Sequence, residues 1–229
     1  MSKQNIWDKL PERRLLADLS LWSADLGALA QEVRRMEPYA DLFHIDVADG
    51  HFVPALLFFP DALAAIRAAT TKLFHVHLMV ERPETLVEEF VQAGADLVTL
   101  HLENRGHLES ALDRISAVGA KAGIAIQLDT DVSEIVRYLD KIQIVVLMGT
   151  MLGIKGASLD ERVLPKIEAV KRLVGQYGAS DRIKISADGG IRVETVPKLR
   201  RAGADIITPG SLLCKSQDLQ QTTTWIRSQ

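Results

Sequence analysis

The sequence contains a single cysteine, Cys214, which excludes an intrachain disulfide and suits a reducing compartment. It has no basic stripe and no block of like charge. Its 27 basic and 30 acidic residues are mixed along the chain for a formal net charge of −3, so nucleic acid and membrane surfaces are not expected partners. The opening "MSKQNIWDKLPERRLL" lacks the long apolar stretch that a signal peptide or membrane helix needs, and the cytoplasm is the expected location. No Pro- or Gly-rich linker divides the chain. It reads as one domain over 1–229, with 1–14 as an N-terminal extension across its floor. A length of 229 residues and 47% hydrophobic content are enough for one α/β barrel with a large core.

Short apolar segments alternate with longer amphipathic ones. The strand-like runs are "LLADLSL" (15–21), "DLFHIDV" (41–47), "KLFHVHLMV" (72–80), "LVTLHL" (97–102), "AGIAIQL" (122–128), "QIVVLMG" (143–149), "RIKISAD" (182–188) and "DIITPG" (205–210). Helical patterns lie between them at Asp25–Met36, Asp61–Ala69, Glu84–Ala93, Leu108–Val118, Ser133–Leu139, Asp160–Tyr177 and Val193–Ala202, and Leu219–Arg227 follows the last strand. "RPETL" supplies a Pro–Glu first turn, "TDVSE" offers capping side chains, and "SLDE" resembles a capping box.

Strands that are apolar on both faces indicate a parallel sheet covered by helices, and eight of them predict a closed (β/α)8 TIM barrel. An open doubly wound sheet is the rival. Its Gly-rich dinucleotide turn is missing, because Ser20-Leu21-Trp22-Ser23 follows the first strand. "VQAGADLVTL" (91–100) and "RRAGADIITP" (200–209) share a helix end, "AGAD" and a strand start, which reads as repeated architecture with no chemistry implied.

In such a barrel the active site forms at the C-terminal ends of the strands. His44 and Asp46 stand two apart at the end of the second strand and point to one face. His75 and His77 do the same on the third strand, His101 sits late in the fourth, and Asp188 ends the seventh before "GGI". Taken singly, a strand-end His is more often a hydrogen-bonded structural residue, and an Asp before Gly-Gly a turn residue. Two imidazoles and two carboxylates converging from three strands would be a costly accident if left unpaired. Together they match a mixed N/O site for one divalent ion, zinc first, with iron(II), manganese and cobalt also admissible. The glycine-rich ends "ADGGIR" (187–192) and "TPGSLL" (208–213) make Gly189, Gly190, Gly210 and Ser211 candidate phosphate donors, with tight-turn chemistry as the plain alternative.

These stretches resemble the D-ribulose-5-phosphate 3-epimerase family over about Leu15 to Ser216. "LSLWSADLGAL" is similar to that family's "PSILSADFxxL", "FHIDVADGHFVP" to "HIDVMDGHFVP", "VHLMVERPE" to "VHLMVxxPE", "SADGGI" to "VDGGI", and "AGADIITPGS" to "AGAxxxVxGS". The resemblance implies a barrel of the ribulose-phosphate-binding type and a metal-dependent epimerase. By position it implies His44, Asp46, His77 and Asp188 as metal ligands, with Asp46 and Asp188 also the acid/base pair. It places Ser20, Met79 and Met148 against the substrate, a phosphorylated ketose, and it implies a homo-oligomer. His75 falls where the family often has Asp and reads as a residue behind the site. Epimerising the carbon beside a ketone through an enediolate needs a base on one face and an acid on the other, which two aspartates on opposite walls supply.

The chain also departs from the pattern. Ala48 replaces a methionine, which removes an apolar wall, and "ALLFFP" (55–60) replaces "NxTFGP". "MLGIKGA" (151–157) replaces the "NPGFGGQ" loop, keeping Gly153 and Gly156 and bringing in Lys155, an exposed loop lysine or a phosphate contact. These changes suggest that the reaction is kept while the phosphoketose differs, from a tetrulose to a hexulose phosphate. Two alternatives stand beside the epimerase. A sugar-phosphate decarboxylase or aldolase type would carry an Asp-x-Lys-x-x-Asp signature, and "DKIQIV" (140–145) lacks the second Asp. A non-catalytic sugar-phosphate-binding barrel would not need an acid/base pair.

Overall fold

Eight parallel strands close on themselves in sequence order in the computed structural model, which describes residues 5–229. They are β1 (Leu16–Ser20), β2 (Leu42–Ala48), β3 (Leu73–Met79), β4 (Leu97–His101), β5 (Lys121–Ile126), β6 (Ile144–Met148), β7 (Lys184–Asp188) and β8 (Ile206–Thr208). Helices α1 (Leu29–Met36), α2 (Pro60–Arg67), α3 (Val87–Gln92) and α4 (Leu108–Ala117) follow the first four strands. Helix α5 (Val163–Gln176) follows β6 and α6 (Val196–Ala202) follows β7, while α7 (Ser211–Cys214) and α8 (Leu219–Arg227) end the chain. The expected closed barrel is therefore present. Among the described residues, no helix is long and apolar enough to cross a membrane.

Two local expectations change. The segment expected as a helix over Ser133–Leu139 is a 3₁₀ helix, Val132–Tyr138, whose N-cap Asp131 accepts a hydrogen bond from the Ser133 amide. Two turns squeezed between that cap and the next strand favour the tighter winding. The capping box expected at 158–161 does not form; Asp160 alone accepts from the Arg162 amide at 2.9 Å ahead of α5.

Alternation along the strands divides the core in two. Ala17, Leu19, Phe43, Ile45, Phe74 and Val76 face outward and join the helices in the larger cluster. Leu16, Leu42, Leu97, Ala125, Ile144, Val146 and Ile206 fill the barrel interior together with Ile6 and Trp7. Trp7 reaches the floor, where its indole N–H donates to the carbonyls of Gln143 and Arg182 at 3.0 Å. Of the extension expected over 1–14, residues 1–4 lie outside the described residues. β2 and β3 pair over the seven positions from Leu42↔Leu73 to Ala48↔Met79. Their extra length carries Asp46, Ala48, His77 and Met79 up into the mouth.

Candidate active site

The two-residue spacing seen in the sequence becomes a wall of polar groups. His44 and Asp46 project inward from β2, and His77 stands in register beside Asp46 on β3. Asp188 reaches in from the end of β7, on the far side of β1 and β8. The four side chains meet: His44 Nε2 lies 3.3 Å from Asp46 and 3.8 Å from Asp188, and His77 Nδ1 lies 3.7 Å and 3.5 Å from the same two carboxylates. One donor atom from each falls within 4.8 Å of all the others. His44 Nε2 and His77 Nδ1 are buried and have no hydrogen-bond partner, although an unsatisfied buried nitrogen costs roughly 1–3 kcal/mol. Ligand bonds of about 2.0–2.2 Å in a tetrahedron would set neighbouring donors roughly 3.3–3.6 Å apart, close to the spacing found here. The cluster could hold a metal ion. A second group with ligand spacing, Asp18, His44 and His75, is instead closed up by its own hydrogen bonds.

Each imidazole is braced through its other nitrogen. His77 Nε2 lies 2.8 Å from His101 Nε2, and His101 Nδ1 lies 3.1 Å from Glu103. The other Glu103 oxygen accepts from the Gln127 amide and the Thr130 hydroxyl. Burial pushes the His101 pKa down to about 4, which keeps the ring neutral and able to accept from His77. Burial alone would raise Glu103, but His101 and Thr130 outweigh it and hold the carboxyl at about 2. On the other side, His44 Nδ1 lies 2.9 Å from Asp18, whose carboxylate also meets His75 Nδ1 at 2.6 Å.

Asp46 is held well below the usual carboxylate range. Burial opposes this, but His44 and then His77 outweigh it. Its Oδ2 accepts from the Ser20 hydroxyl at 2.8 Å, which turns Oδ1 toward the imidazoles. His44 is raised well above its ordinary value, because Asp46 and Asp18 overcome its burial.

A cleft of about 370 Å³ opens above this floor, lined by Ser20, Asp46, Met79, Met148, Asp188 and the loops after β6, β7 and β8. Gly153, Gly156, Gly189, Gly190, Gly210, Ser211 and Lys155 line it as well. At Gly190, φ is +69° and a Cβ would come within 2.5 Å of the Leu159 backbone, so glycine is required there for close packing too. The loop from Met151 to Ala157 crosses the mouth, tied down by Lys155 Nζ on the Trp22 carbonyl at 2.7 Å and by Arg192 on the Gly156 carbonyl at 3.3 Å. Leu152 packs on Ala48, Val53 and Met79, so an apolar group from this loop stands where Ala48 left room. Sequence reasoning passed over Asp18, Glu103, Arg192 and Lys215. Asp18 carried the clearest signal, a carboxylate in an apolar strand two residues before Ser20 and therefore on the same inward face.

Known proteins resemble this chain over most of its length. The model of the ribulose-phosphate 3 epimerase family matches residues 17–214. The ribulose-phosphate 3-epimerase of Bacillus subtilis (strain 168) is 37% identical over 209 residues, 91% of this chain and 96% of that protein. The Treponema pallidum (strain Nichols) protein of the same name is 38% identical over 214 residues, 89% and 97% of the two chains. Among solved structures, 3-keto-L-gulonate-6-phosphate decarboxylase from Vibrio cholerae superposes with a TM-score of 0.71 at 15% identity, covering 94% of this chain and 97% of its own. That last likeness is one of fold.

Proposed function

This chain belongs to the ribulose-phosphate 3 epimerase family, and from that premise we propose that Asp46 and Asp188 invert C3 of a phosphorylated ketose. The substrate is D-ribulose 5-phosphate, exchanged with D-xylulose 5-phosphate, or a related tetrulose or hexulose phosphate. The observation that carries the reading is the meeting of two carboxylates, from β2 and from β7, around two partnerless imidazole nitrogens.

The chain's own groups divide the work. One aspartate removes the C3 proton from its face of the sugar and the other returns a proton to the opposite face. They exchange roles when the direction reverses. Ser20 fixes the Asp46 rotamer, so the reacting oxygen does not have to be oriented anew in each turnover. Met79 and Met148 wall the cleft beside the aspartates and keep water from the reacting carbon. His44, Asp46, His77 and Asp188 would hold a divalent ion, zinc by the preference of such a donor set, which would supply Lewis-acid polarisation of the ketose carbonyl.

The substrate's phosphate lies at the other end of the cleft, against Gly189, Gly190, Gly210 and Ser211, with Gly153, Gly156 and Lys155 closing over it from the rebuilt loop. The chain works as one unit over 1–229, as a cytoplasmic homo-oligomer. The decarboxylase named among the fold neighbours is a weaker guide to its chemistry, since β3 here offers His75 and His77 and no Asp-x-Lys-x-x-Asp run.

Turnover of a panel of tetrulose, pentulose and hexulose phosphates by the metal-loaded protein tests the proposal. Epimerisation at C3 of at least one is expected, and the preferred member assigns the substrate. If none of them is epimerised, the proposal fails.

A further inference from the structure

Side chains inside a parallel barrel form layers dominated by apolar residues. The layer directly beneath this site breaks that rule. Asp18, His75 and Thr99 are fully buried there, as is His44. Asp18 Oδ2 lies 2.9 Å from His44 Nδ1 and 2.6 Å from His75 Nδ1, and His75 Nε2 lies 2.6 Å from Thr99 Oγ1. A carboxylate accepts only, so both Nδ1 atoms donate to it, and His75 Nε2 is then left to accept from the Thr99 hydroxyl. The other Asp18 oxygen has no partner.

We infer that Asp18 is a positioning residue for the metal centre. It holds a proton of His44 on Nδ1, which leaves Nε2 as the nitrogen that faces Asp46, His77 and Asp188 and would bind an ion there, while His75 holds Asp18 in place. The inference rests on the reading of His44 as a ligand and adds to it the group that sets its orientation. Three features favour this over a polar core kept for stability. A buried carboxylate with one orphaned oxygen is a poor stabiliser, and apolar filling of similar volume usually serves a barrel at least as well. His75 and Thr99 alone would have anchored Asp18, yet the carboxylate also reaches the one ring nitrogen of His44 that points away from the site. The same device occurs independently on the opposite flank, where Glu103 stands behind His77 through His101. Carboxylates placed behind ligating histidines fix the tautomer and strengthen the donor.

Cobalt(II) affinity, measured by chelator competition, and the visible spectrum of the cobalt form test this without relying on activity. CD and the Tm of each metal-free protein report folding. Asp18→Asn is expected to weaken cobalt binding about 10- to 100-fold and to alter the spectrum. His44 and His75 are register partners on β2 and β3, so a carboxylate at 75 would stand beside the His44 ring. The swap Asp18→Ala with His75→Asp is therefore expected to recover most of the affinity that Asp18→Ala loses. A folded Asp18→Asn that binds cobalt within twofold of the parent overturns the inference. If Asp18→Asn does not fold, the swap decides: recovered affinity supports the inference, and a folded swap without recovery overturns it. Failure of the parent itself to bind cobalt would remove the metal reading beneath it, a different and recognisable result.

Discussion

His77 and Lys155 serve the same cleft under opposite regimes. His77 is fully buried, set by strand register and braced by a second histidine and a glutamate. Lys155 sits on an exposed loop, where its ammonium touches a carbonyl at 2.7 Å and lies 5.8 Å from the Trp22 ring centroid. The floor, from β1–β4 and β7, is largely preorganised: Ser20 holds Asp46, Asp18 holds His44, and His101 with Glu103 holds His77. The rim is made of loops that can change residue by residue without disturbing the barrel. On the function proposed above, reaction chemistry would fall to the first region and substrate choice to the second.

If that division is right, floor variants act on kcat and rim variants on KM. The largest effect is expected from Asp188→Asn or Asp46→Asn, with kcat falling by about 10³-fold or more, as removal of a positioned acid or base does. Steady-state kinetics on the best phosphoketose provides the check, and a change confined to KM would erase the distinction between the two regions.

A middle effect is expected from Glu103→Gln, which breaks the brace two groups behind His77. Metal affinity should fall about 10-fold or more by chelator competition. This variant also carries a pH signature. Glu103 is held at about 2, below its ordinary 4.5, so its stabilisation is complete above about pH 4.5 and is lost as the pH falls toward 2. The Tm gap between parent and variant should therefore narrow as the pH is lowered from 5 to 3. A gap that widens on acidification would contradict the ionised carboxylate assigned here.

The smallest effect is expected at the rim. Lys155→Ala or Arg192→Gln should raise KM for the phosphorylated ketose by about fivefold, the scale of an exposed charge contact, with kcat within twofold. Competitive inhibition by inorganic phosphate should weaken in parallel. A kcat loss as large as that of the aspartate variants would show that the loop helps build the reacting geometry.

The same contrast explains what could be read in advance. Parallel strands buried on both faces read as unbroken apolar runs, so β1–β8 were legible from "LLADLSL" to "DIITPG". The spacing of His44 with Asp46, and of Asp188 before two glycines, carried the floor of the site because period-two geometry is local. Asp18 escaped notice because most of what identifies it is nonlocal: its partners lie 26 and 57 residues away, and its own strand offers only Ser20 beside it. The tie from Lys155 to the Trp22 carbonyl spans 133 residues and follows no local pattern. The 3₁₀ winding of Val132–Tyr138 was hidden by apolar spacing that suits either kind of helix.

Solvent deuterium incorporation at C3 of D-ribulose 5-phosphate and related phosphoketoses, followed by NMR with and without a chelator, tests the central claim most directly. The two-aspartate account predicts exchange at C3 in the metal-loaded parent, its loss on chelation, its return when a divalent ion is added back, and its loss in Asp46→Asn and in Asp188→Asn. Exchange that survives in both aspartate variants, or no exchange in a parent shown to hold its metal, would contradict it.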